Sequence, residues 1–231
     1  MKYFERIYTR ICDLVCDNRV HATKIEMKCL KYTNFTIISN NCWGGWVYRF
    51  FGLPYQSPTI GLFFLSDDYL KFINNLKEYL GKELVFIKPE EANKAERVKA
   101  YVKAFGKYPI GRLGDIDIHF LHYDSEKEAY SKWNRRKERI DYSRVIIKIS
   151  KQNLWEDRFA EEFDRFEFPN KLFFTNRYYK NYSGRQVIFR RDRECSETRN
   201  EGKYYHRYIN ILRYINSSAD TSSFFLESEE S

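Results

Sequence analysis

The stretch Ser39, Asn40, Asn41, Cys42, Trp43, Gly44 and Gly45 sets a thiol between an apolar run and a glycine pair. The run before it, residues 35–39, predicts a buried strand, and residues 42–51 predict a helix. A thiol at a helix N-terminus has its thiolate stabilised by free N–H groups, which makes Cys42 a candidate nucleophile. Gly44 and Gly45 allow close backbone approach, and N–H groups there suit an oxyanion or a phosphate, with Asn41 and Trp43 alongside. The plainer alternative is a structural thiol in a turn that the glycines merely shape.

A thiol nucleophile needs a proton acceptor. Of the four histidines, His21 falls in the N-terminal segment and His206 lies in a basic helix beside Tyr204, Tyr205 and Arg207. His119 and His122 lie near the end of a predicted strand over residues 116–123. Alternation puts His122 on the face of Ile116, Ile118 and Phe120, and His119 on that of Asp117 and Leu121. His122 is favoured as the base because it lies at the strand's end, with Asp115, Asp117 and Asp124 as open choices for an orienting carboxylate. Arg135, Arg136 and Arg139 on the helix around Trp133 suit a phosphate or carboxylate, although a solvated basic face explains them equally well. Ser57 and Thr59, with Tyr55, could supply hydroxyls to a ligand. Arg177, Tyr178 and Tyr179, after another predicted strand, offer a guanidinium and stacking rings, or ordinary packing.

Other chemistry finds little support. The five cysteines (12, 16, 29, 42 and 195) are odd in number and form no CxxC pair, so a disulfide scaffold and a standard zinc site are not expected. Cys12 and Cys16 have only His21 as a nearby metal partner and read as reduced core thiols. No metal is predicted, and no cofactor is named by the residues. The chain of 231 residues carries a net charge of +8, concentrated where residues 171–213 hold eleven basic and four acidic residues. No nucleic-acid fingerprint accompanies that charge, so a specific nucleic-acid partner is not expected. A basic amphipathic N-terminus leaves peripheral contact with an anionic membrane open. No apolar run reaches the roughly 20 residues of a membrane span, and the first residues lack an apolar signal core, which predicts a cytoplasmic protein, with the inner membrane face as its other station.

The elements that must position these residues alternate. Strands are predicted at 35–39, 60–65, 84–87, 116–123, 145–149, 171–175 and 187–190. Helices are predicted at 42–51, 66–80, 89–105, 125–139, 152–166 and 203–215. Ser125 and Glu128 have capping-box spacing. The pattern predicts an α/β layered fold with a mainly parallel or mixed central sheet flanked by helices. Short connections predict one α/β domain at 33–216, preceded by an amphipathic helical segment at 1–32 and followed by an acidic flexible tail at 217–231.

Five ordered motifs resemble one bacterial family: Ser39 to Gly45; Gly52 to Leu62; Tyr108 to Asp115; Phe120 to Tyr123; and the helix from Glu128 to Arg136. The family is labelled domain of unknown function 1919 and is sometimes described as exopolysaccharide biosynthesis proteins. The resemblance covers roughly residues 33–215. It implies a surface-polysaccharide context and supplies no settled reaction. Joined to the residue chemistry, it leads to the expectation of a capsule or exopolysaccharide enzyme, such as an acyl or other group transferase acting on a sugar. Cys42 and His122 would then do the chemistry, with Asn41, Trp43, Gly44, Gly45, Ser57, Thr59, Asp115, Arg135 and Arg136 binding a sugar or phosphorylated sugar. The alternatives are a non-catalytic glycan or nucleotide-sugar binding module, and a glycosyl- or phospho-transferase, for which Asp115 and Asp117 give the one near match to a metal-binding acidic pair.

Overall fold

The computed structural model describes residues 21–226. At its centre four strands run parallel in the order β1 (Thr36–Ser39), β5 (Val145–Ser150), β6 (Lys171–Thr175), β7 (Gln186–Ile188). The first three are apolar runs because both faces of the sheet are covered, so alternate residues enter two different cores. Ile38, Ile147, Ile149 and Phe173 join one core. That core includes residues of α3 (Ser66–Asn74), α4 (Leu76–Gly81), α6 (Glu126–Lys137) and α7 (Arg158–Asp164). Ile37, Ile146, Leu172, Phe174 and Val187 join the other core. There they meet residues of α2 (Trp43–Phe50), α8 (Glu201–Tyr204) and α9 (Ile211–Asn216). The α/β architecture is therefore the expected one, with a mixed set of strand directions supplied by a second sheet.

That second sheet is antiparallel, in the order β2 (Val85–Ile87), β3 (Ile110–Leu113), β4 (Ile116–His119). It corrects the expectation in one important place. The strand predicted over 116–123 ends at His119 and belongs to this hairpin, not to the edge of the parallel sheet. Its partner β3 escaped prediction because it is only four residues long and contains a glycine. Gly111 is required there: a Cβ would lie 2.5 Å from Leu84 Cδ1 and 2.9 Å from Phe120 Cε2.

The strand predicted at 60–65 is an extended connector that joins the two sheets. Phe63 makes a single antiparallel bridge with His119, and Phe64 N–H donates to Asn40 O at 3.1 Å. Side chains replace the missing ladder, with Ser39 N–H donating to Thr59 Oγ1 at 3.1 Å. The long helix expected at 89–105 shrinks to α5 (Ala95–Tyr101) preceded by a 3-10 turn at Pro89–Glu91. Ser125 caps α6 as expected, accepting from Glu128 N–H at 3.2 Å, while Glu128 reaches back to Asp124 N–H.

At the ends, α1 (Lys24–Cys29) and its flanks dock on the domain: Ala22 N–H donates to Phe50 O, and Lys31 N–H to Asn216 Oδ1. Residues 1–20, with Cys12 and Cys16, lie outside the described residues. The tail expected to be flexible from residue 217 packs as far as Phe225. Val145 N–H donates to buried Thr221 Oγ1, and Phe225 enters the first core. This ordering comes from the Thr and Phe residues of that segment, which its serine and acid content conceals. Among the described residues no helix is long and apolar enough to cross a membrane.

Candidate functional site

The carboxyl ends of β1 and β5 meet in a buried polar cluster, the edge at which open parallel sheets bind ligands. Lys148 and Ser150 alternate with isoleucines along β5, so both turn toward the second core. Both are buried, with Glu201 of α8 laid over them. Lys148 Nζ lies 2.5 Å from Glu201 Oε2 and 3.0 Å from Asn41 Oδ1, and also donates to Ser150 Oγ. Ser150 Oγ donates to the same Glu201 oxygen at 2.7 Å. Asn41 Nδ2 reaches Glu201 Oε2 at 3.0 Å and Gln152 Oε1 at 2.8 Å. The other Glu201 oxygen accepts from Thr198 Oγ1 at 2.6 Å. The rings of Phe174 and Trp43 complete the enclosure, 4.7 and 5.6 Å from the ammonium. A buried charge pair needs such partners on its remaining donors and lone pairs.

Cys42 is the half-buried N-cap of α2 beside this cluster. The thiol was expected to be acidified by its helix end, and the structure reverses that direction. Burial, the largest influence, pushes its pKa up; its own backbone N–H and the Lys148 ammonium pull it down, and Glu201 adds to the rise. Burial also pushes the Lys148 ammonium down, against the opposing pull of Glu201 and of Cys42. Burial thus favours the neutral form of both the Cys42 thiol and the Lys148 amine, and at Lys148 the adjacent Glu201 opposes it.

The remaining predicted residues divide clearly. Asn41 is central to the cluster. Trp43 is buried edge-on to Phe174 and Tyr205, and among the described residues its Nε1 has no hydrogen-bond partner. Gly44 serves contact of α2 with β1 and Gly45 its contact with the connector: a Cβ at Gly44 would meet Ile37 at 3.1 Å, and one at Gly45 would meet Ile60 at 3.1 Å. Ser57 and Thr59 are fully buried, hydrogen-bonded to each other at 3.0 Å, and fasten the connector to β1. His122 lies exposed in the turn after β4, with its backbone N–H donating to Gly61 O. Among the described residues no hydrogen bond joins it to Cys42, although its neighbour Tyr123 lies within the field of that thiol.

Arg136 points inward, donating to Ile60 O at 3.1 Å and Tyr123 OH at 2.6 Å, so its guanidinium braces the connector. Arg135 and Arg139 are exposed. Asp115 sits on the β3–β4 turn, paired with Lys71 at 2.7 Å and Tyr79 OH at 2.7 Å, which holds its carboxyl down at about 2. Asp117 is buried against Arg112 at 2.8 Å. His119 is buried between Phe63, stacked at 4.5 Å, and Tyr108 OH, 3.3 Å from Nδ1. Among the described residues no group of three or more His, Cys, Asp or Glu could hold a metal.

Sequence reasoning missed Lys148, Ser150, Gln152, Thr198 and Glu201. One signal was present, because a lysine and a serine interrupt an otherwise apolar buried strand. Nothing local marks Glu201, which arrives from a helix some fifty residues later.

A relative from Haemophilus influenzae (strain ATCC 51907 / DSM 11121 / KW20 / Rd), called an uncharacterized protein, is 28% identical over 194 residues, covering 80% of this chain and 87% of that relative. The family described as "Domain of unknown function (DUF1919)" matches residues 16–216, which contain the whole cluster from Asn41 to Glu201. The chain belongs to that family, whose description names no activity.

Proposed function

We propose that this protein is a cytoplasmic group transferase of surface-polysaccharide assembly that moves an acyl group onto a sugar hydroxyl through Cys42. The observation that carries this reading is the half-exposed thiol beside a wholly buried Lys148–Glu201 pair at the carboxyl edge of the sheet. The polysaccharide context comes from the family resemblance alone. Cys42 attacks the carbonyl of an acyl thioester or ester, and its proton passes to Glu201. The Lys148 ammonium stabilises the negative charge that develops. Collapse expels the donor's thiol or alcohol, which takes the proton back and leaves an S-acyl cysteine. A sugar hydroxyl then attacks this thioester, its proton again passing through Glu201, to give the ester and the free thiol. A raised thiol pKa makes the neighbouring base essential, since little thiolate exists at neutral pH.

The test is transfer from a simple activated donor, p-nitrophenyl acetate, with the adduct located by mass spectrometry. Acetylation is expected on Cys42, absent in Cys42→Ala, slowed by about tenfold or more in Glu201→Gln, and unchanged in His122→Ala. Slowing in His122→Ala instead would return the base to the histidine. A folded protein that acquires no label at Cys42, although the unfolded chain does, would overturn the transferase reading and favour the glycan-binding module.

A further inference from the structure

On the first-core face of the same sheet edge, the carboxyl end of β6 borders a cleft of about 610 Å³. That volume lies within the range of about 300–1,000 Å³ typical of small-molecule sites. Its walls include Asp157, Arg158 and Glu161 at the start of α7, and Arg177, Tyr178 and Lys180 from the loop after β6.

The loop is held in shape by hydrogen bonds within the protein. Tyr179 N–H donates to Gln186 Oε1 at 2.9 Å, and Gln186 Nε2 returns a bond to Tyr179 O at 2.8 Å. Ser183 binds the Asp164 carboxylate through both N–H and hydroxyl, at 3.1 and 2.9 Å. Inside this frame Asp157 accepts from Tyr179 OH at 2.6 Å and from Arg177 on its other oxygen. Trp155 Nε1 donates to the Tyr179 hydroxyl at 3.1 Å. The guanidinium and the carboxylate are fixed side by side yet remain about half exposed. Such a fork presents donors and acceptors together, the pattern that adjacent sugar hydroxyls satisfy.

Tyr178 is 67% exposed, a large ring left in water on a rigid loop, suited to the C–H face of a pyranose. The charge is also informative. Arg158 is paired with Glu156 at 2.9 Å and Arg177 with Asp157, whereas Lys180 is exposed with no ion pair among the described residues.

We propose that this cleft binds a phosphorylated monosaccharide. The sugar ring lies on Tyr178, its hydroxyls bind Asp157 and Arg177, and its phosphate binds Lys180. The site stands independently of Cys42. Preorganisation favours it, because the loop's ordering cost is already met by contacts within the protein.

Calorimetric titration of the full chain tests it, using glucose, galactose and mannose 1-phosphates, the free hexoses and inorganic phosphate. At least one hexose 1-phosphate is expected to bind saturably, about tenfold or more tighter than its hexose or than phosphate. Tyr178→Ala should weaken the hexose 1-phosphate several-fold and leave phosphate unchanged, whereas Lys180→Ala should weaken both phosphate-bearing ligands. Cys42→Ala should change neither. The proposal is overturned if no hexose 1-phosphate binds, if phosphate alone binds as tightly, or if neither loop variant has an effect. Binding abolished by Cys42→Ala would also overturn it, by placing the ligand at the other cluster.

Discussion

At the residue scale, the decisive group is Lys148, a cation enclosed in a core of Trp43 and Phe174. Its charge is tolerable there only because Glu201, Ser150 and Asn41 take up its donors. Removing one member of a buried pair strands the other, typically at a cost of about 3–5 kcal/mol, whereas replacing both with apolar groups often costs little. Lys148→Met is therefore expected to destabilise by about that amount, and Glu201→Leu similarly. The double variant should recover most of the loss, and urea unfolding of all four proteins measures the coupling. Simple additivity of the two losses would show that the pair is not coupled. Cys42 is instructive at this scale because its expected and observed directions differ. A helix N-terminus does favour a thiolate, but desolvation beside Trp43 and the sheet outweighs it.

At the element scale, α2 lies close against β1 at Gly44 and against the connector at Gly45, because neither residue carries a Cβ. Adding one at Gly44 would bring it to 3.1 Å from Ile37 and 3.4 Å from Ile60, both in the second core. Overpacking of this kind costs about 1–3 kcal/mol, so Gly44→Ala should lower the urea midpoint clearly. Gly81, at the end of α4, has nothing within 4 Å of its virtual Cβ, and Gly81→Ala should be neutral or slightly stabilising. Equal midpoints for the two variants would contradict the packing role assigned to Gly44. The same scale explains the fate of the other site residues. Thr59 and Arg136 hold the connector between the two sheets, with Thr59 bound to Ser39 N–H and Arg136 to Ile60 O.

At the scale of the whole molecule, the joint between the two sheets carries two groups whose titrations oppose each other. His119 is buried, and desolvation lowers its pKa to about 4 despite the nearby Asp117. Below about 6.5 the unfolded chain binds a proton that the folded chain refuses until about 4, so this group removes stability as pH falls through that window. Asp68 is also buried, and desolvation, with Asp67 and Asp117 nearby, raises its pKa to about 7. Between about 4 and 7 it keeps a proton that the unfolded chain releases, so it removes stability as pH rises. His119 contributes up to about 3 kcal/mol and Asp68 up to about 4, and because they act in opposite directions they flatten the profile. Relative to the wild type, His119→Phe should become more stable at pH 4.5 than at pH 7, and Asp68→Asn the reverse. Urea midpoints at the two pH values check this, and unchanged profiles in both variants would refute the assignment.

The sequence by itself determined the apolar strands of β1, β5 and β6, the capped helix at Ser125, the layered α/β class and the family. These follow from local periodicity and from motifs whose residues are near one another in the chain. It also marked Asn41 and Cys42 as the turn at a strand's carboxyl end. Tertiary structure alone decided what surrounds them. The strand bearing His119 pairs with β3 rather than entering the parallel sheet, which leaves His122 in an exposed turn. Glu201 crosses from a distant helix to meet Lys148, a contact that no spacing announces. Hydrogen bonding within strands and helices is written in short sequence windows. The partner of a buried charge is chosen by which distant segment closes over it, and only the folded chain makes that choice.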